Sequence, residues 1–297
     1  MVNAKKKISS RYGFGKKREP YMYLLPALIL IITFTYFPFF KTIIMSTFLV
    51  NASGTAIEFV GLENYQNLFK DTVFLKSIGN TFKYVICVVP ATIAIGFSLA
   101  LMANRKRKFS RLYETMFSLP MAISMSVTAL IFQLLLNPNI GAFNYIFHTN
   151  IRWLTDPKYA LTAIIMIGIW MGVGMDFMFL LSAVRAVPEE LLECADVEGV
   201  GAIRKITSIY IPMTSPTLFF LLCTNLANAM MMSGPVIVLT MGGPNNSTST
   251  IIYYMYNKAF RIYNYGSAYA AAVVGFVIAF ALIILSFRFE ERGVHYA

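Results

Sequence analysis

The sequence predicts an all-α integral membrane protein with six transmembrane helices. Of its 297 residues, 57% are hydrophobic and only 13% are charged. Soluble domains carry about 25% charged residues, so this composition cannot cover a surface that faces water. Six apolar segments are each long enough to cross a bilayer as a helix, which takes about 20 residues. A lipid bilayer is therefore the first partner that the sequence predicts.

The predicted spans divide the chain into a basic tail, residues 1–20, and one transmembrane domain, residues 21–297. The spans are residues 22–40, 84–103, 115–136, 159–184, 209–233 and 268–287. An Asn-Pro-Asn-Ile-Gly turn at residues 137–141 ends the third span. The end of the fifth is harder to place, because no charged residue occurs between Lys205 and Lys258. This uncharged run leaves room for a re-entrant segment around residues 237–254.

Positive charge is concentrated in alternate loops. Seventeen of the 25 Lys and Arg residues lie in the tail, the 104–114 loop, the 185–208 loop and the C-terminal segment. Because Lys and Arg mark cytoplasmic segments, we expect both termini and the 185–208 loop on the cytoplasmic side. The same distribution accounts for the net charge of +11 without a nucleic-acid partner.

One loop on the opposite side also has a helical pattern. Tyr65, Leu68 and Phe69 are spaced as on one face of a helix within residues 59–71. This spacing predicts an interfacial helix that lies against the membrane. Contact with an external binding protein is compatible with the same pattern.

Residues 187–216 form a charged island between two long apolar segments. Five of the chain's 14 acidic residues lie in it, namely Glu189, Glu190, Glu193, Asp196 and Glu198. Pro188 suits the first turn of a helix, and acidic residues there complement the helix dipole. Gly199 supplies a stop. The pattern therefore predicts a helix of about three turns.

This predicted helix is amphipathic. At roughly 100° per residue, its apolar face consists of Leu191, Leu192 and Ala195. Its charged face consists of Glu189, Glu193 and Asp196. Such a helix, tethered to the membrane at both ends, is shaped to dock in a partner's groove. A solvated connecting loop is the alternative interpretation.

The same loop resembles a known family. The run Glu193-Cys194-Ala195, then Gly199, then Ile209 to Pro212 as I-Y-I-P, is similar to the E-A-A…G…I-x-L-P loop of permease subunits of binding-protein-dependent ABC importers. Cys194 departs from the family's second Ala, and Ile211 departs from its Leu. Residues 59–65, 219–237 and 239–248 also resemble members that transport maltose or glycerol-3-phosphate.

The resemblance implies a type I ABC importer permease fold in a bacterial cytoplasmic membrane, with residues 187–208 as the coupling loop. It implies a coupling helix gripped by an ATPase subunit, with Leu191, Leu192 and Ala195 in the ATPase groove. On that model Glu193 meets a basic or polar group at the rim, Asp196 belongs to the charged face, and Gly199 allows a sharp exit. The other implied partners are a second, different permease subunit and an extracellular solute-binding protein.

Four residues within the spans are candidates for the solute pathway. Asp176 is an intramembrane carboxyl group, which is costly and should face the bundle interior, a water-filled cavity or a partner. Asn225, Asn228 and Met232 share one face of the fifth span. Amide groups suit a hydroxyl-rich solute. Hydrogen bonds that only hold helices together are the alternative for both Asp176 and the two amides.

No catalytic pattern accompanies these features. The sequence contains no G-x-x-x-x-G-K-[ST] phosphate-binding loop, so ATP and Mg²⁺ would bind the partner ATPase and we expect no cofactor, metal or catalytic residue here. The sequence and the resemblance together favour a permease subunit that imports a sugar or oligosaccharide. Glycerol-3-phosphate import is the alternative, and a membrane scaffold or enzyme subunit is a more distant one. A channel or secondary transporter is disfavoured because the spans lack charged relays.

Overall fold

A computed structural model of the chain describes residues 19–104 and 110–293. Most of the predicted basic tail, four of the five basic residues at 105–111 and the C-terminal residues 294–297 lie outside this part. In the described part, five continuous helical segments are long and apolar enough to cross a membrane. They are Tyr21–Met45, Thr72–Ala103, Ala160–Arg185, Ala202–Met230 and Tyr265–Arg288. A sixth span is a bent pair of helices, so the predicted count of six is confirmed.

The helices are numbered in chain order. The first span contains α1 (Glu19–Ile31) and α2 (Phe37–Met45), and it is followed by α3 (Glu63–Lys70) and α4 (Thr72–Ala103). Next come α5 (Ser110–Ala122), α6 (Met125–Leu135), α7 (Ala142–Phe147) and α8 (Ala160–Arg185). The remaining helices are α9 (Glu189–Val197), α10 (Ala202–Lys205), α11 (Ile211–Met230), α12 (Ile251–Phe260) and α13 (Tyr265–Gly293).

The third span is broken, where the sequence predicts one continuous helix at residues 115–136. Helices α5 and α6 meet at an angle of 103° across a break of at most four residues. Pro120 lies in the last turn of α5, where its ring disfavours a straight continuation. Ser124 then caps α6, because its hydroxyl accepts a hydrogen bond from the Val127 amide. The prediction of a single straight span is therefore wrong.

Two spans contain a π-helical turn just before a proline. The turn Ile32–Tyr36 precedes Pro38, and the turn Ile206–Tyr210 precedes Pro212. Proline has no amide hydrogen and its ring crowds the carbonyl one turn back, so a local shift to wider hydrogen bonding keeps the helix continuous. The fifth span consequently begins at Ala202, earlier than the predicted residue 209.

Helices α4 and α8 form the centre of the bundle and run in the same direction. Glycines bring their backbones close at successive levels. A β-carbon placed on Gly96 would lie 2.9 Å from the β-carbon of Asp176, and one on Gly172 would lie 2.8 Å from a methyl group of Thr92. Small residues of this kind allow close helix packing in membranes. At about 1.5 Å per residue, α4 alone carries the chain across the bilayer.

A small extramembrane layer covers the end of the bundle where α4 begins. Strands β1 (Phe48–Val50) and β2 (Ala56–Phe59) form an antiparallel hairpin, with Phe48 opposite Phe59. Helix α3 follows, which confirms the predicted helix around residues 59–71. Leu68 is buried in the protein core, and the Asn64 amide donates 2.9 Å hydrogen bonds to the carbonyls of Ser46 and Phe48. These contacts hold α3 against the rest of the protein.

The uncharged segment after α11 folds at the same end. It contains a π-helical turn, Val236–Thr240, a loop and α12. The loop is anchored to α4, because the Asn80 amide donates to the carbonyls of Asn246 and Ser249 at 3.0 and 2.9 Å. The coupling loop lies at the opposite end of the bundle, where α4 and α8 terminate.

Candidate functional site

The coupling loop contains α9 and α10. Helix α9 begins directly after Pro188, and it ends in a turn with Gly199 in the left-handed region at φ 69°. The amide of Gly199 donates to the carbonyl of Asp196 at 3.1 Å, and that of Val200 donates to Ala195 at 2.8 Å. This pair of hydrogen bonds is the Schellman arrangement, which favours glycine. The predicted helix and its glycine stop are confirmed.

Part of the apolar face of α9 is covered by the chain itself, and part of it is exposed. Ala195 is 4% exposed, and Leu192 lines a cleft with Leu101 and Tyr210 of this chain. Leu191, by contrast, is 43% exposed. Its own chain therefore covers Ala195, and the contact of Leu191, Leu192 and Ala195 with an ATPase stays a prediction.

Two large apolar side chains project from the coupling loop. Val197 is 90% exposed and Ile203 is 80% exposed. Sequence reasoning missed both, although each lies beside charged residues of the loop. Leu191, Val197 and Ile203 are all large, apolar and exposed, and they are here called the tip of the coupling loop. Exposed apolar side chains mark a docking surface when they form a continuous patch.

An ion pair joins the two helices of the coupling loop. The Lys205 ammonium group of α10 contacts the carboxylate of Asp196 in α9. The Lys205 side chain is mostly covered and the Asp196 side chain is mostly exposed. The structure therefore gives Asp196 a contact within the chain, while Glu193 is exposed on α9.

A second ion pair connects the base of the coupling loop to the broken span. Arg185, the last residue of α8, donates to Glu114 of α5, with a shortest distance of 2.6 Å between Nη2 and Oε1. A second contact between Nη1 and Oε2 measures 3.4 Å. This paired geometry fixes the relative position of α5 and α8 where α9 begins. The sequence analysis did not identify this contact.

A cavity of about 370 Å³ lies among α4, α8, α11 and residues 231–235. Most of its wall is apolar, with methionines from several elements. Its polar lining consists of Tyr84, Thr92, Asn225, Asn228 and Ser233. No lysine or arginine lines it among the residues that the structure describes. Such a concave, mainly apolar site with a few convergent polar groups is typical of a small-molecule pathway.

The structure brings three of the predicted pathway residues to this cavity and places the fourth behind its wall. Asn225 and Asn228 line the cavity, as does Met232. Asp176 is 1% exposed, and one of its carboxyl oxygens accepts a 2.7 Å hydrogen bond from the Asn225 side-chain amide. The predicted hydrogen bond between spans is thus present at Asp176, and its donor, Asn225, also lines the cavity.

Tyr84 is a polar wall residue that the sequence analysis missed. Its side chain is 5% exposed and packs beside Gly168. A β-carbon on Gly168 would lie 2.1 Å from the Tyr84 hydroxyl oxygen, so only glycine leaves room for this placement. The paired residues of α4 and α8 lie 84 positions apart in the chain, and no local sequence signal reveals the contact.

Known proteins resemble the chain over nearly its full length. The model of a family described as "binding-protein-dependent transport system inner membrane component" matches residues 92–292. The sn-glycerol-3-phosphate transport system permease protein UgpA of Agrobacterium fabrum is 32% identical and covers 95% of this chain and 98% of its own. The probable ABC transporter permease protein YurN of Bacillus subtilis is 31% identical, with 92% of this chain and 96% of that protein covered.

The fold is also found in a solved transporter. A chain of a bacterial alginate ABC transporter, crystallised with a periplasmic protein bound to an alginate pentasaccharide, has a TM-score of 0.82 at 23% identity. The match covers 94% of this chain and 96% of that chain. This likeness confirms the predicted permease fold. The chain therefore belongs to the family of inner membrane components of binding-protein-dependent transport systems.

Proposed function

We propose that this chain is the permease subunit of an ABC importer for a sugar or another hydroxyl-rich solute, powered by ATP hydrolysis on a separate subunit. The observation that carries the proposal is the tip of the coupling loop. Leu191, Val197 and Ile203 are large apolar side chains that stand exposed at the end of the bundle. Exposed apolar side chains in a loop between charged residues favour a protein partner that covers them.

The coupling loop is well placed to transmit movement to the cavity. It connects α8 directly to α11, and these two helices supply Gly172 and Asn225 to the cavity wall. Coupling between two sites requires an element whose arrangement both sites can bias. An ATPase that grips α9 and α10 would shift α8 and α11 together and so change access to the cavity.

Location and partners follow from the same proposal. The protein would lie in a bacterial cytoplasmic membrane, with the coupling loop and both termini in the cytoplasm. A second permease subunit would complete the pathway, and an extracellular binding protein would deliver the solute. ATP and Mg²⁺ would bind the ATPase subunits, and this chain would transmit force without performing chemistry.

Two solute classes have separate support. Several relatives at 31–32% identity are permease proteins of sn-glycerol-3-phosphate transport systems, which favours that solute. The wall of the cavity favours a neutral sugar, because amide and hydroxyl groups line it and these groups pair well with solute hydroxyls.

Cysteine crosslinking tests the docking of the coupling loop. Cys87, Cys194 and Cys223 are first replaced, because all three are free thiols. Val197→Cys and Ile203→Cys are then introduced separately and treated with a short bifunctional maleimide in the complex with its ATPase subunit. We expect both variants to crosslink to the ATPase.

Ile57→Cys provides the matched control, because Ile57 is an exposed apolar residue of β2, at the opposite end of the bundle. It should give no crosslink to the ATPase. A crosslink from Ile57 and none from Val197 or Ile203 would overturn the proposed orientation and the proposed role of the loop. Solute-stimulated ATPase activity, measured on Glu193→Lys, supplies the functional readout, and we expect it to be abolished.

A further inference from the structure

The Tyr84 hydroxyl is a polar group at the cavity wall without a protein partner. It has no hydrogen bond to any residue within 19–104 or 110–293. The residue as a whole is only 5% exposed. The residue borders the cavity, so a solute hydroxyl there can donate a hydrogen bond to the phenol oxygen or accept one from it.

Asn225 and Thr92 supply further polar groups to the cavity wall. The Asn225 amide nitrogen donates to Asp176 at 2.7 Å and lies 3.4 Å from the Thr92 hydroxyl oxygen. This arrangement directs the Asn225 amide hydrogens toward the protein and leaves its carbonyl oxygen as the free acceptor. Asp176 itself has no cation within 4.0 Å among the described residues.

An anionic solute would find no compensation here. A phosphate monoester carries about −1.5 to −2 charges near neutral pH, and moving such a charge out of water is very costly without a paired cation. The wall supplies amide and hydroxyl groups, but no lysine or arginine among the described lining residues. Lys83, adjacent in sequence to Tyr84, is exposed and is not a lining residue.

We propose that Tyr84 and the Asn225–Asp176 pair act as a filter that accepts a neutral, hydroxyl-bearing solute and rejects a phosphate monoester. This inference rests on the proposed permease function and specifies its solute class. Tyr84 binds a solute hydroxyl, Asp176 positions the Asn225 amide, and a lining without lysine or arginine among the described residues leaves a phosphate charge uncompensated. Gly168 is required because it admits the phenol to the wall.

Charge selectivity is measured with a reporter thiol in the cavity. Met231→Cys, at an exposed lining position, is introduced into the cysteine-free chain in the purified transporter complex without ATP. Its modification rates are compared for cationic and anionic methanethiosulfonates of matched size, each normalised to Ile57→Cys. We expect the cation to react about tenfold faster, because acceptor oxygens and no lysine or arginine line the described wall.

Equal normalised rates, or faster reaction of the anion, would overturn charge rejection by the cavity. Because this assay contains no ATP and does not depend on α9, its result is independent of the crosslinking result for the proposed function.

Solute binding is measured by protection of the same thiol. The probes are a panel of neutral mono- and oligosaccharides and sn-glycerol-3-phosphate. We expect at least one neutral sugar to protect better than sn-glycerol-3-phosphate, and Tyr84→Phe to weaken that protection about 2- to 10-fold. The Phe variant should unfold at the same temperature as the wild type, because the hydroxyl has no protein partner to lose. Protection by the phosphate that equals or exceeds every sugar, or full protection in Tyr84→Phe, would overturn the proposal.

Discussion

Asn225 and Asp176 join the two helices that flank the coupling loop. The Asn225 amide of α11 donates a 2.7 Å hydrogen bond to the buried carboxyl group of Asp176 in α8. The chain between these residues passes through α9 and α10, so the hydrogen bond closes a loop around the proposed ATPase contact. Force applied at α9 would therefore reach both helices as one unit, and Asn225 would carry it to the cavity wall.

Removal of the Asn225 amide should destabilise the bundle measurably. In Asn225→Ala the Asp176 carboxyl group loses its donor, and a buried polar group without a partner costs about 1–3 kcal/mol. The double variant Asn225→Ala with Asp176→Ala should recover part of the loss. Thermal unfolding of the four proteins in detergent gives the coupling energy, which we expect at about 0.5–3 kcal/mol. Additive single effects would contradict a direct interaction.

The Asp196–Lys205 ion pair should affect the coupling of ATP hydrolysis to transport more than it affects the stability of the fold. Asp196 is 72% exposed, and exposed pairs contribute only about 0–1 kcal/mol. Lys205→Ala should therefore leave the unfolding temperature almost unchanged, while it reduces solute-stimulated ATPase activity because α10 is released from α9. The exchange Asp196→Lys with Lys205→Asp should restore part of that activity.

Glu198→Ala is the control for this pair, since Glu198 is a nearby exposed acid outside the ion pair. Its solute-stimulated ATPase activity should be close to that of the wild type. Equal activity in Lys205→Ala and the wild type would show that the pair does not position the loop.

Gly199 and Gly201 provide a matched test of backbone strain in the coupling loop. Both have open space where a β-carbon would lie, but Gly199 has a φ of 69° and Gly201 a φ of −65°. Gly199→Ala should cost about 1 kcal/mol through the left-handed backbone alone, whereas Gly201→Ala should be nearly neutral. We expect lower solute-stimulated ATPase activity only in Gly199→Ala. Similar losses in both variants would indicate an effect other than backbone strain.

Much of the architecture follows from local sequence signals. Apolar length predicts the spans, and Pro188, the acidic first turn and Gly199 predict α9 with nearly correct ends. These features depend on residues within a few positions of one another. The break in the third span is harder, because Pro120 alone does not distinguish a kink from the 103° bend that the structure shows.

The parts of the site that the sequence analysis did not predict depend on contacts between segments that lie far apart in the chain. Ala195 belongs to the apolar face of α9 by periodicity, but only the packed structure shows that its own chain covers it. Tyr84 has no distinguishing neighbour in sequence, and its placement depends on Gly168 in another span. Helical spacing did identify Asn225 and Asn228, because residues on one face of a helix line the same cavity.

Asp71 should make stability depend on pH at the hairpin end of the bundle. It lies just before the second span and caps α4 by accepting from the Val73 amide at 2.8 Å. Tyr254 donates to the other carboxylate oxygen at 2.7 Å, and Lys258 lies 3.1 Å from it. Partial burial raises the pKa of Asp71, but the hydrogen bonds from Tyr254 and Val73 and the contact with Lys258 outweigh it and hold the pKa below its ordinary value.

The sign of the pH effect follows from this lowered pKa. A carboxyl group with a lower pKa in the folded state contributes stability that is present above its ordinary pKa, near 3.9, and is lost as the pH falls through the folded value. Asp71→Asn should therefore be less stable than the wild type at pH 7 by about 1–3 kcal/mol. This difference should shrink when unfolding is measured near pH 3.

Tyr254→Phe separates the contribution of the Tyr254 hydrogen bond from that of the charge on Asp71. It removes one hydrogen bond and leaves the Asp71 carboxylate and its contact with Lys258 in place. We expect a smaller loss at pH 7 than in Asp71→Asn, and a remaining dependence on pH below 4. A difference between Asp71→Asn and the wild type that stays constant from pH 7 to pH 3 would show that the charge on Asp71 does not stabilise the fold, because an uncharged cap would give that result.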